Sequence, residues 1–235
     1  MPLSIDDEPA LVIHSRPYQE HSLLLELFTL NLGRISAVVR LKSNKNSSNR
    51  GLFEPFTLLR LSLFQGRSSL FRVNSAMMQK VAFKIEIPYT FCAIYINELL
   101  FRLVKSQESD PKLFAQYIRS LEELEAKHSE NLVLRNFESV LLESLGYQID
   151  FKTQDQKMLS EEKSYFFSAT QGFIEDLSST SHSYSGKTLL KIMNHEYDCE
   201  DSLKILKKIH AAVIKELLGD YELKSRRLYE EYIKY

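Results

Sequence analysis

The six histidines and two cysteines are the residues of this 235-residue chain best suited to hold a metal or to serve as base and nucleophile. The histidines stand at 14, 21, 128, 182, 195 and 210, and no two of them form HxH or HExxH. A zinc site would need its ligands gathered from remote segments, so these histidines read as structural or surface groups. Cys92 and Cys199 are 107 positions apart, which excludes CxxC, a zinc ribbon and a disulfide framework. Cys199 lies near His195 and Asp198, a nucleophile beside a base, but the segment is polar and nothing near it marks an oxyanion hole. Glu122, Glu123 and Glu125 share one predicted helix, and Glu161 and Glu162 share a loop. Paired acids bind Mg²⁺ or move protons, yet adjacent helical glutamates ordinarily face solvent. The seven glycines are never closer than 14 residues, so neither GxGxxG nor GxxxxGK[ST] can be written. The chain is read as a non-enzyme without cofactor or metal.

The chemistry that remains is electrostatic. Residues 30–80 carry Arg34, Arg40, Lys42, Lys45, Arg50, Arg60, Arg67, Arg72 and Lys80 against one acid, Glu54, a net +8. The whole chain sums to -1, so the remainder carries -9. A dipolar chain with a cationic segment of this size has the footprint of a polyanion binder. Phe56, Phe64 and Phe71 lie among these cations; core is the ordinary role for each, and a stacking face for bases is the alternative.

The elements that must position these cations follow from periodicity. Residues 22–28 place Leu23, Leu25 and Leu27 on one face; Ile35, Ala37 and Val39 alternate against Arg34, Ser36, Val38 and Arg40. Leu59, Leu61 and Leu63 alternate against Arg60, Ser62 and Phe64, and Phe71 and Val73 against Leu70, Arg72 and Asn74. Period two in short runs, with turn signals at 31–33, 44–51 and 65–69, predicts a five-stranded OB-type barrel over 1–80. Arg34, Arg40, Arg60 and Arg72 fall opposite the apolar stripes. Beside them the polar, basic stretch 41–50 reads as a mobile loop. A cationic sheet face with a cationic loop suits phosphate tracking better than base readout.

From Pro88 the period changes, and 81–235 reads as a helical domain with a small β-leaning insertion around 147–185. Helices are expected over 89–104, from Asp110-Pro111, over 132–145 closed by Gly146, over 187–193, and through Leu203, Leu206, Ile209, Val213 and Leu217; the tail from Leu223 reads as a last amphipathic helix. Hydrophobic residues make up 44% and charged residues 26%, a globular balance. The acidic start, Asp6 to Glu8, is unlike an export signal, and the apolar runs are too short for a membrane span, so a cytoplasmic protein is expected.

Taken together, HSRPYQEHSLLLELFTLNLGRIS (14–36), GLFEPFTLLRLSLFQGR (51–67), IYINELLFRLV (94–104), ESLGYQIDF (143–151), QGFI (171–174) and LKSRRLYEEY (223–232) resemble the RecO family of bacterial recombination mediators. The resemblance spans nearly the whole chain in the family's order. It implies an N-terminal OB domain and a helical domain, binding of single- and double-stranded DNA, and strand annealing. The partners it implies are RecR and the single-stranded DNA-binding protein SSB, with a functional link to RecA, loaded on SSB-coated DNA. Many relatives carry a four-cysteine zinc site in the C-terminal region; this chain has one cysteine there, so a zinc-free part held by packing is expected. For the acidic, phenylalanine-ended SSB tail, Leu134, Arg135 and Phe137 on the third helix are the candidate contacts. The alternatives are an RNA-binding OB module and a nucleic-acid-processing enzyme with dispersed carboxylates.

Overall fold

The computed structural model describes residues 2–41, 43–44, 47–80, 82–177, 183–197 and 200–234, with side chains undescribed at 43–44, 47–49 and 200. β1 (Leu3–Tyr18) is the strand that periodicity leaves hidden. Its alternation is broken by register shifts between Ile5 and Glu8 and between Val12 and His14, and Asp7 sits at a left-handed φ of 60° inside the first. These bulges let one strand serve two neighbours. Its first half pairs with β6 (Leu58–Gln65) and its second with β2 (Ser22–Thr29).

β3 (Gly33–Arg40) pairs with β2 along its whole length, and β7 (Phe71–Lys80) pairs antiparallel with β6. A short parallel contact, Ala37 beside Phe71 and Val38 beside Arg72, closes the ring in the order β1-β2-β3-β7-β6. The sheet is therefore OB-like. Between β3 and β6 lie the two-residue strands β4 (Ser43–Asn44) and β5 (Ser47–Ser48) and a 3-10 turn, Asn49–Phe53. The barrel interior holds the predicted stripes: Leu23, Leu25, Leu27, Ile35, Ala37, Val39, Leu59, Leu61, Leu63, Phe71 and Val73. Each buried Leu-sized side chain contributes about 1.5–3 kcal/mol.

The chain divides into two compact units, Met1–Glu130 with Leu223–Tyr235, and Asn131–Glu222. The expected division at residue 80 follows the change from strand to helix, whereas these units follow packing. In the first unit α1 (Tyr89–Leu103) and α2 (Pro111–Glu125) lie with the barrel, α2 capped by Asp110 accepting from Leu113 N at 2.9 Å. Phe28 on the outer face of β2 is 0% exposed and packs on Phe114 and Tyr117, with ring centroids 5.8 and 6.2 Å away. Leu24, on the same face of β2, is buried too, which explains why the strand reads LLLELF: both its faces are covered. Gly33, at φ 64°, touches the 105–109 connection so closely that a Cβ would stand 2.0 Å from the Glu108 carbonyl oxygen. α6 (Lys224–Tyr232) returns to α1, where Phe91 meets Tyr229 and Tyr232.

In the second unit α3 (Glu130–Ser144) ends at Gly146, φ 80°, and the β-leaning run 147–151 forms no strand. Pairing begins at Lys152 and Thr153, as isolated bridges, while Ile149 and Phe151 pack on the core. β8 (Ser164–Ser168), β9 (Gly172–Glu175) and β10 (Tyr184–Ser185) make a three-stranded sheet in the order β10-β8-β9. With α4 (Gly186–Met193) and α5 (Glu200–Leu218) it encloses Leu159, Tyr165, Phe173, Leu189, Ile192, Leu206 and Ile209. Among the described residues no helix is long and apolar enough to cross a membrane.

Candidate nucleic-acid interface

Strand register brings together residues that are far apart in sequence. Arg16 pairs with Leu24, Leu24 with Val38, Val38 with Arg72, Arg72 with Phe64, and Phe64 with Ser4. These six form one row around the outside of the barrel, with neighbours about 4.8 Å apart between strands. Arg40 is the next outward residue of β3 beyond Val38, and Arg67 lies in the turn that follows Phe64 and Gln65. Arg16, Arg40, Arg67 and Arg72 are all exposed, and none enters an ion pair or side-chain hydrogen bond with a described residue. Arg16 lies outside the basic stretch 30–80 and was missed for that reason; the signal that finds it is the register of β1 against β2.

The other predicted cations are differently employed. Arg34 donates from Nη1 to Glu26 Oε2 at 3.0 Å and from Nε to the Val104 carbonyl at 2.9 Å, and lies 5.4 Å from the centroid of Phe101. It ties β3 to the end of α1. Arg60 donates to Asp7 Oδ2 at 2.8 Å and to Gln79 Oε1 at 3.2 Å. Lys80 Nζ meets Glu125 at 3.3 Å and Glu122 at 3.8 Å and sits 3.9 Å from the Phe83 centroid. Glu125 also accepts from the Lys84 backbone N–H at 2.7 Å, which, with the lysines beside it, holds its carboxyl below the ordinary range. The helical glutamates are thus occupied by cations. Arg50 is exposed on the 3-10 turn; Lys42 and Lys45 lie outside the described residues. Of the phenylalanines, Phe71 is 2% exposed and belongs to the core, whereas Phe64 is 36% exposed and stands in the arginine row.

The third-helix candidates are in the second unit. Phe137 and Arg135 are 0% and 3% exposed, and Leu134 is half-buried. Arg135 Nη2 pairs with Glu138 Oε1 at 2.5 Å, Glu138 Oε2 with His210 Nδ1 at 2.9 Å, and His210 Nε2 faces Ser139 Oγ at 3.4 Å. Arg135 Nε and Nη1 are buried with no hydrogen-bond partner among the described residues. Ser139, His210 and Glu138 stand in the order of a hydrolase triad. Ser139, however, lies within α3, where successive backbone N–H groups are engaged in the helix ladder and cannot form an oxyanion hole. The group reads as a buried polar network. Cys199 and Asp198 lie outside the described residues.

An OB-like barrel whose outer row carries exposed arginines with no acidic partner among the described residues, followed by helices and a small sheet, is of a class of architecture that includes nucleic-acid binders. Comparison with known proteins makes the assignment specific. Residues 4–81 match the recombination protein O N-terminal family and residues 86–227 match the recombination protein O C-terminal family. The chain is 33% identical over 227 residues to the DNA repair protein RecO of Yersinia pestis (strain Pestoides F), covering 95% of this chain and 94% of that one. Identity and coverage are the same for DNA repair protein RecO of Yersinia pseudotuberculosis serotype O:1b (strain IP 31758), and identity is 32% for that of Yersinia enterocolitica serotype O:8. The chain belongs to the RecO family, whose role is in DNA repair and recombination.

Proposed function

We propose that the chain is a DNA-binding recombination mediator that holds single- and double-stranded DNA by its phosphates and anneals complementary strands. The observation that carries this reading is the set of exposed arginines, Arg16, Arg40, Arg67 and Arg72, which have no acidic partner among the described residues, whereas Arg34, Arg60 and Lys80 are paired. Lys42, Lys45 and Arg50 would extend this surface along the 41–50 stretch, and Arg34 and Arg60 would act first as structural links. Two strands held on such a surface have their repulsion screened while their bases stay free to pair. With RecR, the protein would help load RecA on SSB-coated DNA, working in the bacterial cytoplasm at the nucleoid. The test is annealing of complementary oligonucleotides, bare and SSB-coated, by the wild type and by an Arg40→Glu, Arg72→Glu double variant. Loss of binding and annealing together is expected; both intact in the variant removes the proposal.

The SSB tail ends in a carboxylate next to an aromatic ring. Arg135 supports a site for it, because two of its buried guanidinium nitrogens, Nε and Nη1, lack an acceptor among the described residues while Leu134 and Phe137 supply apolar surface. Such docking would have to open the cover over Arg135. Arg135→Lys keeps the charge beside Glu138 and removes the planar fork, so it should lose tail-peptide affinity; unchanged affinity removes the site.

A further inference from the structure

Nucleic acid on an OB barrel ordinarily lies across the second and third strands. Here much of that face is closed: Leu24 and Phe28 are 8% and 0% exposed, and Glu26 is bonded to Arg34 and Ser36. The outward apolar groups stand instead on the far side of the barrel. On β6 and β7, Phe64 is opposite Arg72, Ser62 opposite Ser75, and Arg60 opposite Met77. Phe64 is 36% exposed and Met77 68%. On this outer face Phe64 and Met77 each have an arginine as cross-strand neighbour, with two serines between the pairs. Two rows of about 6.7 Å separate Phe64 from Met77 along the strands, roughly 13 Å.

This pattern distinguishes one form of DNA from another. A duplex presents phosphates and groove edges to a flat sheet, and its base faces are already stacked. An unpaired strand can lay its bases on apolar side chains while its phosphates reach the cations alongside. We propose that the outer face of β6 and β7 is a track for single-stranded DNA, with one base stacked on Phe64 beside Arg72 and a later base covering Met77 beside Arg60. Charge complementarity fixes the occupant as a polyanion, and the alternation of apolar group and arginine fixes its form as a strand with free bases. Arg60 is bonded to Asp7, whose side chain is 70% exposed, and a phosphate can displace such a surface pair at little cost. The inference rests on the DNA-binding reading above and adds the face and the strand form.

The chain contains no tryptophan, so Phe64→Trp places a single indole on the track. Titration of this full-length variant with oligo(dT) should quench its fluorescence, and a duplex of equal length should quench it far less. Phe64→Ala should weaken oligo(dT) binding about tenfold, with duplex affinity within about twofold of wild type; Met77→Ser should show a smaller loss of the same kind. An absent quench with unchanged Phe64→Ala affinity overturns the track, as does an equal loss on both forms of DNA. Should Phe64→Ala fail to fold, the quench and Met77→Ser decide. Wild-type protein that binds neither form overturns the DNA reading itself, so the two failures are distinguishable.

Discussion

The buried polar residues set the sharpest demands on individual positions. Tyr117 is fully buried and donates to Asn97 Oδ1, while Asn97 donates to the Ile13 carbonyl at 2.9 Å, joining α2, α1 and β1. Tyr117→Phe leaves that buried oxygen without its donor and should cost about 1–3 kcal/mol in urea unfolding. Burial also pushes the Tyr117 phenol up, well beyond its ordinary value. Because the folded value is the raised one, its stabilisation is present below about pH 10 and is lost as pH rises further, so the wild type should destabilise in alkali more steeply than Tyr117→Phe. Glu138 is held between Arg135 and His210 and is 2% exposed. Glu138→Ala strands the Arg135 charge and should cost about 3–5 kcal/mol. The sequence shows Arg135 as an isolated cation in an acidic half, with Glu138 three positions on; His210, the other partner of Glu138, is 72 positions from it, and no local pattern announces that pair.

Among the elements, α6 acquires a physical account that its sequence withholds. Glu98 of α1 accepts from the N–H groups of Lys224 and Ser225, both at 2.9 Å, and from Ser225 Oγ at 2.6 Å. A carboxylate from one helix thus caps the open N-terminus of another, where the macrodipole favours negative charge. Ser225 is 2% exposed, which explains why a serine stands there, while Arg226 and Arg227 face solvent and pair with Glu230 and Glu231 along the helix. Glu98→Ala should cost about 0.5–2 kcal/mol and speed proteolytic trimming of the C-terminal helix; an unchanged digestion rate would show that aromatic packing against Phe91 suffices. Gly186 marks a comparable requirement in the second unit, because a Cβ there would lie 1.9 Å from the Ser160 carbonyl oxygen. Gly186→Ala should therefore lower the melting temperature, whereas Gly51→Ala, with open space around it, should not. The helices were legible because caps and periods are local; β1 was not, because two bulges and two prolines, Pro9 and Pro17, interrupt its alternation.

At the scale of the molecule, function depends on where charge survives folding. Each phosphate contact contributes a slope of roughly -0.7 to -0.9 in log K against log salt. Removing Arg40 and Arg72 should flatten that slope by about 1.4 to 1.8, whereas removing Arg34 should act chiefly on stability, since it bonds Glu26 and Val104. By itself the sequence determined the barrel, the helical remainder, the cationic segment and the family, because alternation, caps and charge counts are properties of neighbouring residues. Which arginines remain available was decided by tertiary structure alone. Strand register put Arg16 in a row with Arg72, and helix packing closed the β2 face; ion pairing then consumed Arg34 and Lys80 and left Arg60 in an exposed pair that a phosphate can open. A net charge of +8 counts cations, but only the fold determines which of them have already met an acid.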